Sequence, residues 1–260
     1  MIFLNKLYSY LLLSLISILF VNAHPATIKQ DIDWPQFMSQ QDMIWEKLPE
    51  YWYDSAFLGN GKLGLMIYKE PGKNYLRLET GNCDVHDHRT KRDVFGIPRL
   101  LTGHFALHPK GKIINGTIHL DLWNAEASTD ITTTKGVIHL RSFVHADEMM
   151  IIVKATTEGD EHDFQWEWIA AEANSPRYLI FKRQGKANKI PKDYELNPTA
   201  KISNGKEINL SVQKLLAGGE TSVGWQETYN PETERNLWIN LTHTYPQNNS
   251  SEICKDNENI

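Results

Sequence analysis

The densest run of groups able to do chemistry is Asp84, His86, Asp87, His88 and Arg89. On a strand, His86 and His88 project to the same face, as a pair of metal ligands must. A cupin-type set would also need a glutamate a few residues after the second histidine, where Thr90, Lys91, Arg92 and Asp93 stand instead. No metal and no cofactor is assigned on this pattern. Two other readings fit the same residues: a polar turn in which Asp84 or Asp87 pairs with Arg89 or Arg92, and a polar edge turned toward a sugar. A second motif, Leu58-Gly59-Asn60-Gly61-Lys62-Leu63-Gly64, lacks the Gly-Lys-Ser/Thr ending of a phosphate loop. It reads as a tight turn in which Asn60-Gly61 takes a positive φ and Gly64 lets a second backbone approach. Asn60 is then free to project an amide. Indoles form the third group. Trp166 and Trp168 share one face of a strand and read as core or as sugar-stacking rings, while Trp52 is a stacking candidate outside any strand. No catalytic residue is assigned. The 32 acidic residues offer too many carboxylate pairs to choose from, and no Gly-x-Ser-x-Gly elbow occurs.

The elements that would position these groups are mostly strands. Leu63 to Tyr68 and Tyr75 to Thr80 flank a hairpin connection at Glu70-Pro71-Gly72-Lys73-Asn74. Ile118, Leu120 and Leu122 alternate with Thr117, His119 and Asp121, the pattern of a half-buried strand. Val137 to Val144, Met149 to Ala155, Phe164 to Ala170, Ile208 to Val212 and Leu237 to Thr242 continue the series. Turns fall at Thr134-Lys135-Gly136, Glu158-Gly159-Asp160, Asn204-Gly205-Lys206 and Gly218-Gly219. Asp33-Trp34-Pro35 opens a short helix through Gln41, with Asp33 as its cap. The Lys, Pro and Asn rich stretch Lys182 to Ala200 reads as a long surface loop. Together these predict an all-β fold, a large antiparallel β-sandwich of the super-sandwich type with a short N-terminal helix.

Residues 1–23 have the pattern of a signal peptide, with Lys6, an apolar run from Leu11 to Val21 and a small-residue site at Ala23. Residues 24–246 form the sandwich domain and 247–260 a polar tail or the start of a linker. The expected location is secreted or periplasmic, with no membrane span after cleavage. A net charge of −5 and scattered cations argue against nucleic acid as a partner. Cys83 and Cys254 are too few for a disulfide-stapled fold and are expected as unpaired thiols.

Ala56-Phe57-Leu58-Gly59-Asn60-Gly61-Lys62-Leu63-Gly64-Leu65-Met66 resembles the opening strand and turn of the N-terminal domain of glycoside hydrolase family 95, which includes α-L-fucosidases. The likeness continues more loosely through Tyr75 to Asp87. It implies an exported polysaccharide-degrading protein whose sandwich packs against a helical catalytic barrel. The chain departs from the family at Leu78-Glu79-Thr80, where relatives commonly carry Leu-Asn-Glu. No catalytic residue transfers, because the family's lie in the barrel. The resulting expectation is a non-catalytic scaffold domain with an oligosaccharide or polysaccharide and a helical catalytic domain as partners. The alternatives are a stand-alone lectin-like protein and a degenerate fragment. Candidates for contact with sugar are Asn60, Asp84, His86, Asp87, His88, Arg89 and Trp52.

Overall fold

The computed structural model describes residues 32–87, 89, 98–230 and 234–245. The chain divides into two units, Met1–Phe37 and Met38–Ile260. Asp33 caps the helix α1 (Trp34–Ser39) as its sequence predicts: its carboxylate accepts from the Gln36 amide at 3.1 Å and its carbonyl from Phe37 at 2.9 Å.

The second unit is a sandwich of two antiparallel sheets. The strands in chain order are β1 (Met43–Trp45), β2 (Ala56–Gly59), β3 (Leu63–Lys69), β4 (Leu76–Asn82), β5 (Gly103–His108), β6 (Ile113–Asp121) and β7 (Glu126–Thr133). They continue as β8 (Gly136–Val144), β9 (Met150–Gly159), β10 (Gln165–Ala170), β11 (Lys201–Asn204), β12 (Asn209–Lys214), β13 (Glu220–Asn230) and β14 (Glu234–Thr244). The larger sheet has the order β1-β6-β7-β8-β9-β14-β13-β12-β11 and the smaller β10-β5-β4-β3-β2. Alternation decides which side chains meet between them. Leu65, Ile67, Leu76, Leu78, Phe105 and Leu107 of the small sheet pack with Ile118, Ile131, Ile138, Leu140, Ile151, Val153 and Leu237 of the large one. The all-β sandwich expected from the strand pattern is therefore the fold.

Trp168 lies in this core against Phe105 and Trp225, with ring centroids 4.9 and 6.0 Å away, and Trp166 packs at its margin. The core reading of these indoles holds. Strands β5, β7 and β13 carry weaker sequence signals. The inward positions of β7 include Thr129 and Thr133 beside Ala127 and Ile131, and β5 is buried almost throughout.

Two local expectations are corrected. Gly61 takes φ +89° as foreseen, but the close backbone approach occurs at Gly59, where a Cβ would lie 2.9 Å from the Leu63 carbonyl; at Gly64 a Cβ would meet Leu58 O only at 3.9 Å. The stretch from 182 to 200 is also not simply a surface loop. Its start completes helix α2 (Pro176–Arg183), whose Ser175 cap accepts from the Arg177 amide, and Asn197 within it is buried. The Ser175-Pro176 pair is a helix-start signal that the composition of the following residues obscures.

Candidate functional site

Within the polar run that begins at the end of β4, Asn82 and Asp87 are buried and Asp84, His86 and Arg89 half-buried. Val85 to Asp87 pair with 98–100: Leu100 N donates to Val85 O at 3.0 Å, Asp87 N donates to Pro98 O at 3.0 Å, and His86 bridges Arg99. Val85 and Leu100 join Ala173 and Leu215 in a small second core. This places Asp87 at full burial, where Arg89 Nε lies 3.0 Å from its Oδ1, close enough for an ion pair although not aligned as a hydrogen bond. Asn197 Nδ2 approaches the other carboxylate oxygen at 3.4 Å and donates to Ala173 O at 2.6 Å. Arg89 also donates to Glu195 O at 2.6 Å and lies 4.9 Å from the Tyr194 ring. Burial raises the Asp87 pKa, and Arg89 opposes that rise.

His86 Nε2 is 3.0 Å from Cys83 O, and the free Cys83 thiol donates to Asp84 at 3.6 Å. Burial and the neighbouring Asp84 raise the thiol's pKa. Burial, with Asp84 again adding to it, raises the Tyr245 phenol. His88, Arg92 and Cys254 lie outside the described residues. Among the described residues no group of three or more His, Cys, Asp or Glu could hold a metal ion, and no helix is long and apolar enough to cross a membrane.

Asn60 is occupied in a similar way. Its Oδ1 accepts from the Lys62 and Leu63 amides at 3.0 and 2.8 Å, and its Nδ2 donates to His145 O at 2.9 Å. The amide ties the β2–β3 turn to the loop after β8.

Trp52 has a different environment. Between β1 and β2 the chain buries Leu48 against Gly116, where a Cβ would come within 2.8 Å of the leucine, and Pro49 O accepts from the Lys69 amide at 2.8 Å. With those anchors set, a one-turn 3-10 helix (Trp52–Asp54) is held at its end by Trp45 Nε1 donating to Asp54 O at 2.8 Å. The three rings of Tyr51, Trp52 and Tyr53 have no core left to enter and are 49%, 64% and 63% exposed. Tyr51 and Tyr53 stack at 5.2 Å with planes 4° apart, and Trp52 meets Tyr53 edge-on at 5.7 Å.

These rings line an open groove of about 1750 Å³, together with Ile44, Phe57, Met66 and Ile114. Glu46, Lys47, Glu50, Asp54 and Lys69 supply its charged lining. Of the residues singled out from sequence, Trp52 lines this groove; Asn60, Asp84, His86, Asp87 and Arg89 do not. Sequence reasoning passed over Tyr51, Tyr53 and Phe57. The signal was available in Tyr51-Trp52-Tyr53 itself, since three consecutive large rings cannot all face one core in a chain whose side chains alternate.

A smaller hollow of about 610 Å³ is bordered by Asn124, Glu126, Arg141, Phe143 and Lys154. Its Arg141 guanidinium is held by Glu126 through two 2.7 Å hydrogen bonds.

No family model matches the chain, so the resemblance to glycoside hydrolase family 95 finds no support there. No curated protein matches either. Among solved structures, the chain is similar to one titled "Putative kojibiose phosphorylase from human microbiome", at 11% identity and a TM-score of 0.43. That alignment covers 77% of this chain and 28% of the other, so this chain spans less than a third of that protein's length.

Proposed function

We propose that the sandwich is a non-catalytic glycan-binding domain of an exported carbohydrate-active protein, and that the groove beside Trp52 is its sugar-facing surface. The observation that carries this reading is the set of three exposed rings beside unburied carboxylates. The C–H face of a pyranose packs on an aromatic plane, and the polar rim hydrogen-bonds its hydroxyls. The residues around Asp87 are not part of the groove lining and are read as support for the fold.

The test is a glycan array followed by calorimetric titration of the hits, with wild type and Trp52→Ala side by side. Binding that falls at least tenfold in Trp52→Ala, with the unfolding midpoint unchanged, supports the reading. Equal binding by both proteins, or hydrolysis of glycosides by the purified chain, overturns it.

A second reading rests on Met43, Ile44 and Ile114, which are 40%, 70% and 65% exposed and offer no stacking plane. They suit a helical catalytic domain seated on the same end of the sandwich, as the family-95 resemblance implies. On that reading the purified chain self-associates with rising concentration, and Ile44→Ser with Ile114→Ser restores a monomer in light scattering.

A further inference from the structure

We infer that the groove discriminates glycans by charge, accepting uncharged sugar chains and rejecting uronate-bearing or sulfated ones. This rests on the proposed reading of the groove as a sugar site and adds the class of glycan it takes. The charged lining consists of three carboxylates, Glu46, Glu50 and Asp54, and two ammonium groups, Lys47 and Lys69. Lys69 Nζ sits 3.0 Å from Glu50 Oε1, so one cation is matched within the wall. Among the described residues Glu46 and Asp54 have no ion-pair partner. The Asp54 backbone is held by Trp45 while its carboxylate stays exposed, so an acceptor is presented beside the Trp52 and Tyr53 rings at a fixed point of the turn.

A carboxylate only accepts hydrogen bonds at neutral pH. Neutral sugar hydroxyls can donate to it. A uronate or sulfate brings no donor in the place of its charged group, and it meets Glu46 and Asp54 as like charges. Lys47 alone among the described lining residues is a cation without a carboxylate of its own, which is too little to reverse the balance. Cationic amino sugars are drawn by the same two carboxylates and donate to them, so the discrimination runs against anionic chains alone. Ring stacking, which is indifferent to charge, dominates for the neutral chain.

The experiment titrates wild type, Trp52→Ala and the double variant Glu46→Gln with Asp54→Asn at 20 mM salt. The probes are a neutral glucan hexamer set of several linkages, an oligogalacturonate hexamer, a sulfated hexamer and a glucosamine hexamer. The expected result is Trp52-dependent binding of a neutral oligomer, with acidic oligomers at least tenfold weaker. The double variant narrows that gap by fivefold or more, weakens neutral binding no more than threefold, and keeps the wild-type unfolding midpoint. Trp52-dependent binding with the acidic oligomer as the best ligand, a glucosamine hexamer bound tenfold more weakly than the neutral one, or an unchanged gap in the double variant overturns the charge inference and leaves the groove as a sugar site. Absence of Trp52-dependent binding to every probe overturns both.

Discussion

The segment around Asp87 and the segment around Trp52 are both rich in groups that could contact a ligand, and the fold treats them in opposite ways. In the first, Asp87, Arg89 and Asn197 close on one another and on backbone carbonyls, joining the excursion after β4 to the chain after α2. In the second, Leu48 and Pro49 take the buried positions and leave Tyr51, Trp52 and Tyr53 outside. Density of polar groups in a sequence thus marks a place where buried polar groups satisfy each other as readily as a place where they meet a ligand. Large apolar rings held in water are the rarer condition and the better pointer to a surface with a partner.

The contrast is broken most directly at Arg89. Arg89→Ala leaves the Asp87 carboxylate buried without its cation and should destabilise the chain by about 3 kcal/mol, read as a lower denaturation midpoint. A loss under about 0.5 kcal/mol would mean that the cluster is a solvated surface after all.

His104 gives the next effect. It lies directly across from Glu79 in the β4–β5 register, yet Glu79 is taken by the Tyr68 hydroxyl at 2.6 Å and by Arg77 at 3.2 Å. His104 Nε2 is buried with no hydrogen-bond partner among the described residues, and burial followed by the Arg77 charge pushes its pKa down from 6.5 to about 4. Between those values the unfolded chain takes up the proton and the folded chain does not. Stability contributed by the neutral ring is therefore complete above pH 6.5 and lost as pH falls toward 4, at about 1.4 kcal/mol per pH unit. Denaturation curves across that window should be flatter in His104→Gln by this slope; parallel curves for the two proteins would place His104 in contact with solvent.

At Trp52 the sign of the comparison reverses. Removing an exposed ring should leave stability within about 0.5 kcal/mol of wild type. The same change lowers glycan affinity at least tenfold, about 1.4 kcal/mol. A lower melting midpoint in Trp52→Ala would show the ring to be part of the core.

The smallest effect is expected at Asn60. Asn60→Ala removes the two acceptor bonds to Lys62 and Leu63 and the two donor bonds to His145 O and Glu148 O, at a cost of about 1 kcal/mol, with glycan binding unchanged. A binding defect without a stability change would return Asn60 to the sugar site.

Legibility in the sequence followed the strength of the alternating pattern. Strands β3, β8, β9 and β14 stand out because their inward positions carry large aliphatic side chains such as Leu65, Ile138, Val153 and Ile239. Strand β7 is quieter, since Thr129 and Thr133 take inward positions that a hydrophobic pattern does not count. At the groove, Trp52 was visible as a ring outside any strand. Its grouping with Phe57, Met66 and Ile114 was not, because Phe57 and Met66, opposed across β2 and β3, meet Ile114 of β6 only when the two sheets are stacked.

By itself the sequence determined the class of fold, the cap at Asp33, and the turns at Gly61 and Gly136, because each depends on neighbours within a few residues or on period-two alternation. The tertiary structure alone decided that Asp87 faces inward and Trp52 outward. Both outcomes depend on which distant segments occupy the space beside them: 98–100 and Asn197 beside Asp87, and Leu48 over Gly116 in the segment that leads to Trp52.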